Sequence, residues 1–146
     1  MAIDRISACG LNPQTVQRHL NNALIVEAQN GRLQKVKELL TDKLLTNKLV
    51  DINARDEFGN TALHWASVNG HIAVVRELIQ KGADVNAKNK TNSTPLHLAS
   101  GSGQIMAVRE LIKNGADATL RDKHGNIPIQ LAQKNSHKGA VKELSK

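Results

Sequence analysis

Thr61-Ala62-Leu63-His64 returns as Thr94-Pro95-Leu96-His97, 33 residues further on. Gly82-Ala83-Asp84 returns at the same offset as Gly115-Ala116-Asp117. Val75, Val108 and Val141 keep the period, as do Leu78, Leu111 and Leu144. A chain that copies itself at this spacing builds units that pack on their sequence neighbours, so it folds as a stack of helical units and not around one large core. The aromatic content agrees. One Trp, one Phe and no Tyr leave Leu, Ile, Val and Ala to fill thin layers between short helices.

The units can be drawn from start and stop signals. Asn12-Pro13 reads as a helix start, with Asn12 as N-cap and Pro13 at the first helical position. Val16, Leu20 and Leu24 then fall on one helix face, which predicts a helix over 13–29, interrupted by Gly31. A second helix over 33–40 turns Val36, Leu39 and Leu40 inward. Gly31, Val36, Glu38 and Leu39 match Gly70, Val75, Glu77 and Leu78 at an offset of 39, six more than the period, so an insertion lies within 41–50. The next unit runs through a turn at Asp56-Glu57-Phe58-Gly59-Asn60, with Gly59 free to take positive φ. Thr61 caps a first helix. His71 to Lys81 forms a second, with Ile72, Val75, Leu78 and Ile79 inward, and Gly82 ends it in the left-handed region. Residues 89–120 repeat this plan. The last unit departs from it, with Ile127 for the capping Thr, Gln130 for the His, and a polar run at 133–138 suited to a terminal cap.

The stretch from Asp56 to Ala66, followed by Gly70-His71, Val75, Leu78 and Gly82-Ala83-Asp84-Val85-Asn86, resembles an ankyrin repeat. The resemblance covers roughly residues 22–146 as four repeats, at about 22–54 (with the insertion in 41–50), 55–87, 88–120 and 121–146. Residues 1–21 stand outside it as a leader that is helical from about 13. It implies an all-α solenoid with short β-hairpins, whose outer two repeats act as caps. It also implies a protein ligand bound by hairpin tips and the exposed side of the first helices, with no catalytic residues, no cofactor and no metal. Carried onto this chain, the tips are Glu57, Phe58 and Asn60, then Lys90, Thr91 and Ser93, then Lys123, His124 and Asn126. The exposed first-helix ends are Gln29 and Asn30, Val68 and Asn69, Gly101 and Ser102, and Lys134 and Asn135, with Trp65 as a further candidate on the same face. The framework repeats in type and the tips do not, so specificity can be written at the tips.

His64 and His97 stand one repeat apart, about 10 Å by helix packing. That is too far to share a metal at bonds of roughly 2 Å. The resemblance gives each a role in tying adjacent repeats together. Trp65 matches Leu98 and Leu131, so packing with partial exposure is expected, and a partner contact is the alternative. Phe58 matches Thr91 and His124, and either meets a partner or lies against the insertion. Gly101-Ser102-Gly103 lacks the spacing and Lys of a phosphate loop. His19, His71, His124 and His137 form no ligand pattern.

Twenty Lys and Arg against thirteen Asp and Glu give a net charge of +7, which favours partners with an acidic face. Nucleic acid is disfavoured, because bases find almost no aromatic platform and no basic cluster. The single Cys9 excludes an internal disulfide. No stretch is apolar enough for a membrane. The expectation is a monomeric, non-enzymatic adaptor, inhibitor or scaffold in cytoplasm or nucleus. Left open are secretion into a host cell as a bacterial effector and a basic nucleic-acid or chromatin regulator.

Overall fold

The computed structural model describes residue 10, residues 12–41 and residues 50–146. Most of the leader, with Cys9, lies outside the described residues, as does the conformation of the insertion at 42–49. Eight helices are described: α1 Pro13–Gln29, α2 Leu33–Thr41, α3 Ala62–Val68, α4 Ile72–Gln80, α5 Pro95–Gly101, α6 Ile105–Lys113, α7 Pro128–Lys134 and α8 Lys138–Leu144. They form four antiparallel pairs in two rows. The first helices α1, α3, α5 and α7 pack in chain order, and so do the second helices α2, α4, α6 and α8.

Caps set where the helices begin. The Asn12 side chain accepts from Gln14 N–H, and Pro13 opens α1. Thr61 and Thr94 cap α3 and α5 through their side chains, and the histidine three residues on completes the box. Thr61 N–H donates to His64 Nδ1 at 3.0 Å. With Nδ1 accepting, the ring's proton sits on Nε2, which donates to the Ser93 carbonyl of the next repeat at 2.9 Å. His97 makes the same reach to the Asn126 carbonyl at 2.9 Å. In the last pair Ile127 N–H donates instead to Gln130 Oε1 at 2.9 Å, half of the box.

Burial holds His64 neutral and lowers its pKa from 6.5 to about 4, against the raising effect of its bond to Ser93. A histidine depressed on folding stabilises the fold fully above its unfolded pKa. That contribution is lost as pH falls through the folded value. Stability should therefore drop between about pH 6.5 and about pH 4, by up to about 3 kcal/mol from this group. Urea unfolding across that window checks it, and a flat profile would contradict it.

The connections between repeats are turns rather than β-hairpins, and no strand is assigned among the described residues. The reason is local. Asp56 Oδ1 accepts both Phe58 N–H and Asn60 N–H at 2.9 Å, closing the loop within five residues. Asn89 and Asp122 do the same in the next two turns. Neighbouring turns then share single backbone bonds, Lys90 N–H to Phe58 O at 3.1 Å and Lys123 N–H to Thr91 O at 2.9 Å. Gly59, at φ 77°, makes the approach possible, because a Cβ there would stand 2.8 Å from Lys90 N. On the opposite edge Asn53 and Asn86 accept from Asp84 N–H and Asp117 N–H at 2.8 Å. Asn21, on α1, accepts from Asp51 N–H at the same distance. The long first helix thus takes the place of a preceding loop.

The core runs through the stack as Leu24, Ile25, Ala28 and Val36, then Leu63, Ala66, Val74, Val75 and Leu78, then Leu96, Ala99, Val108 and Leu111, ending at Ala132 and Ala140. On α4 the buried pair is Val74 and Val75, while Ile72 and Ile79 are only half-buried. The helix lies between α2 and α6 and against α3, so two consecutive positions are covered. Ser67 and Ser100 are fully buried with hydroxyls that have no hydrogen-bond partner. Ser67→Ala and Ser100→Ala should each stabilise by about 0.5–1 kcal/mol, since the hydroxyl is desolvated without return and Ala favours helix. A loss of stability in urea unfolding would contradict this.

At the far end, α7 and α8 leave a cleft of about 410 Å³ lined by Ala132, Gln133, Ser136, Lys138, Val141 and Lys142. The polar run expected there supplies the rim, while Val141 is half-buried where Val75 and Val108 are fully covered.

Candidate protein-binding surface

The three turns present their middle residues to solvent. Glu57 and Phe58, Lys90 and Thr91, and Lys123 and His124 are all exposed. Asn60 and Ser93, read from sequence as tip residues, are buried instead. Both belong to the framework. Asn60 Oδ1 accepts from the Asn89 side chain of the next turn at 2.8 Å. Ser93 N–H donates to Asn89 Oδ1 at 3.0 Å, and its carbonyl holds His64. Asn126 is half-buried for the same reason, its carbonyl holding His97.

On the first helices, Trp65 and Val68 are half-buried, and Asn69 and Ser102 are exposed. Asn69 is not idle, because its side chain donates to the Gln29 carbonyl of the preceding pair at 3.1 Å. Trp65 packs partly against the core. Its indole N–H donates to Asp56 Oδ2 at 2.7 Å, which fixes the ring beside the turn. His64 and His97 are buried structural ties. Gly101 is the last residue of α5, and Ser102-Gly103 form the turn toward α6. Among the described residues no group of three or more His, Cys, Asp or Glu could hold a metal, and no helix is long and apolar enough to cross a membrane.

Phe58 and Trp65 come together. With Asn22, Ile25, Val26 and Gln29 of α1, and with Asp56 and Glu57, they line a notch of about 440 Å³. Phe58 is 58% exposed and Val26 47% exposed. Of the four α1 residues in the lining only Gln29 was expected from sequence, although a signal for Val26 existed. The offset of 39 that aligns the first helix pair puts Val26 in register with Trp65, Leu98 and Leu131. The result is an apolar row with one member per repeat, half-buried in the last three and open at Val26. α1 continues where a turn would precede the later first helices, so among the described residues Phe58 has no neighbouring turn on that side, and the insertion at 42–49 that could lie against it is outside them.

Charge is unevenly spread along this row. Residues 88–146 hold ten of the twenty basic residues but four of the thirteen acidic ones. Those four are engaged in the framework. Glu110 pairs with Arg76 at 3.2 Å, and Glu143 with Arg109 at 3.0 Å and with Lys146 at 3.0 Å. The Arg109 and Lys146 bonds lower the Glu143 pKa to about 2. Asp117 and Asp122 accept backbone N–H groups of their own turns. Exposed Lys123 and Lys134 therefore make the far end of the row basic, while Asp56 and Glu57 make the notch end acidic and Lys90 lies on the turn between.

Comparison with known proteins matches these features. A family described as "Ankyrin repeats (3 copies)" matches residues 3–89, and one described as "Ankyrin repeats (many copies)" matches residues 78–132. Ankyrin repeat domain-containing protein 49 of Bos taurus is 36% identical over 72 residues, which is 49% of this chain and 28% of that protein. Ankyrin repeat-containing protein YAR1 of Saccharomyces cerevisiae is 33% identical over 71 residues, 49% of this chain and 35% of that protein. Palmitoyltransferase akr1 of Schizosaccharomyces pombe is 39% identical over 60 residues, but these are only 9% of that protein. The chain thus spans about a third or less of each relative, and what it shares with them is repeat framework. Paired helices, Thr–His caps reaching into the next repeat and a match over more than half the chain agree, and the chain belongs to the ankyrin repeat family.

Proposed function

We propose that the chain is a non-enzymatic protein-binding module, acting as adaptor, inhibitor or scaffold through the face that carries the turn tips and the row Val26, Trp65, Leu98 and Leu131. The observation that carries this reading is the exposed Phe58 beside half-buried Trp65 at the open end of that row. Large aromatic side chains in a partly desolvated notch are the kind of group that dominates protein interfaces. The exposed lysines at 90 and 123 fit a partner with acidic residues toward that end. A nucleic-acid reading is disfavoured by the same geometry. Both aromatics stand beside Asp56 and Glu57, so the basic positions from Lys123 onward carry no Trp, Phe or Tyr as a base-stacking platform.

The triple variant Phe58→Ala, Lys90→Glu, Lys123→Glu tests the reading. All three positions are exposed, so stability should stay within about 0.5 kcal/mol per site. Partner affinity should fall by at least about thirtyfold, the loss of one hot spot of about 2 kcal/mol. Retention of the same protein with the same affinity would overturn the assignment of the surface.

A further inference from the structure

We infer that the notch takes the side chain of an arginine or lysine from the partner protein, an inference that rests on the protein-binding reading above. Among the described residues, the eight that line it include the chain's one Phe and one Trp and two carboxylates, and no cation. In a chain of net charge +7 this is a local reversal of sign. The Asp56 carboxylate is held in place by Trp65 Nε1–H at 2.7 Å and by the N–H groups of Phe58 and Asn60 at 2.9 Å. Glu57 beside it is exposed.

An apolar anchor would cover Val26, Ile25 and the aromatic faces well, but it would strip water from these carboxylates and give nothing back. A basic side chain satisfies both parts. Its methylene stem lies along Val26 and Ile25, and its charged head reaches the ring faces of Trp65 and Phe58 and the carboxylates. A guanidinium suits the site better than an ammonium, since its plane stacks on a ring while its N–H groups meet carboxylate oxygens. Among the described residues, two basic groups on the adjoining turns are turned to other work or other surfaces. The Arg55 guanidinium donates to the carbonyls of Gly59 and Lys88. The Lys90 stem lies over Gly59 on the side of the next turn. With lysines 123 and 134 at the other end, a bound segment has a set direction, its basic residue at the α1 end and its acidic residues toward α7.

Trp65 is the only Trp, so its indole N–H gives one resonance in a nitrogen-15 spectrum of the full chain. The test titrates that signal with N-acetyl-arginine methylamide and with neutral N-acetyl-norleucine methylamide at constant ionic strength. The arginine probe should shift it saturably, and the norleucine probe should bind at least about threefold more weakly. Glu57→Gln and Phe58→Ala should each weaken the arginine probe by about three- to fivefold, and Lys113→Glu, at an exposed position on α6, should leave it unchanged. Equal or tighter binding of norleucine would overturn the inference, as would no shift with arginine up to its solubility limit. If the arginine probe fails while the triple tip variant still loses its partner, the cationic anchor falls and the binding surface stands. If the triple variant also keeps its partner, both fall.

Discussion

Replacing His64 by Ala should lower unfolding stability by about 3 kcal/mol, although the residue touches no ligand. The ring is 0% exposed and works at both ends. Nδ1 accepts the Thr61 N–H at the start of α3, and Nε2 donates to the Ser93 carbonyl of the following repeat. Removing it leaves a buried donor and a buried acceptor unpaired, each costing about 1–3 kcal/mol, and opens a cavity where the ring stood. The substitution should also weaken coupling between the second and third repeats, because the Ser93 bond crosses that junction. Urea unfolding measures the loss. A change below about 1 kcal/mol would show that the Thr–His tie is incidental to stability.

Leu78→Ala should cost a similar amount, about 3 kcal/mol, by a different route. Leu78 is 0% exposed on α4, which packs between α2 and α6 and against α3. Cutting it to Ala removes apolar area and leaves a void that two flanking repeats cannot both collapse into. Since units of a stack touch only their neighbours, the weakened repeat should loosen first and broaden the unfolding transition. Lys81→Ala, one residue past the same helix and exposed, should stay within about 0.5 kcal/mol as a control. Equal effects of the two substitutions would contradict the core assignment.

The framework was legible in the sequence because its physics repeats. A cap, a histidine three residues on, and a Val–Leu stripe must recur wherever one pair stacks on the next, so the 33-residue offset exposes them. What periodicity could not deliver was the difference between exposed and engaged polar residues. Asn60 and Ser93 vary between repeats, yet both are buried by bonds to neighbouring turns that only the stacked geometry creates. The turns read as hairpins from the resemblance, but Asx bonds from Asp56, Asn89 and Asp122 close them too tightly for strands to form. The notch escaped for a related reason. Half of its lining comes from α1, 27 or more residues away, and α1 runs on through the place that a turn takes before the later first helices.

Amide hydrogen exchange of the full chain, alone and bound to the partner that the wild type retains and the triple variant loses, tests the binding surface most directly. Protection is expected at 57–58, 65–69, 90–91 and 123–124 and along the outer face of α1, with the second helices α4, α6 and α8 unchanged. Protection confined to those second helices, with the tips still exchanging freely, would place the partner on the opposite face and contradict it.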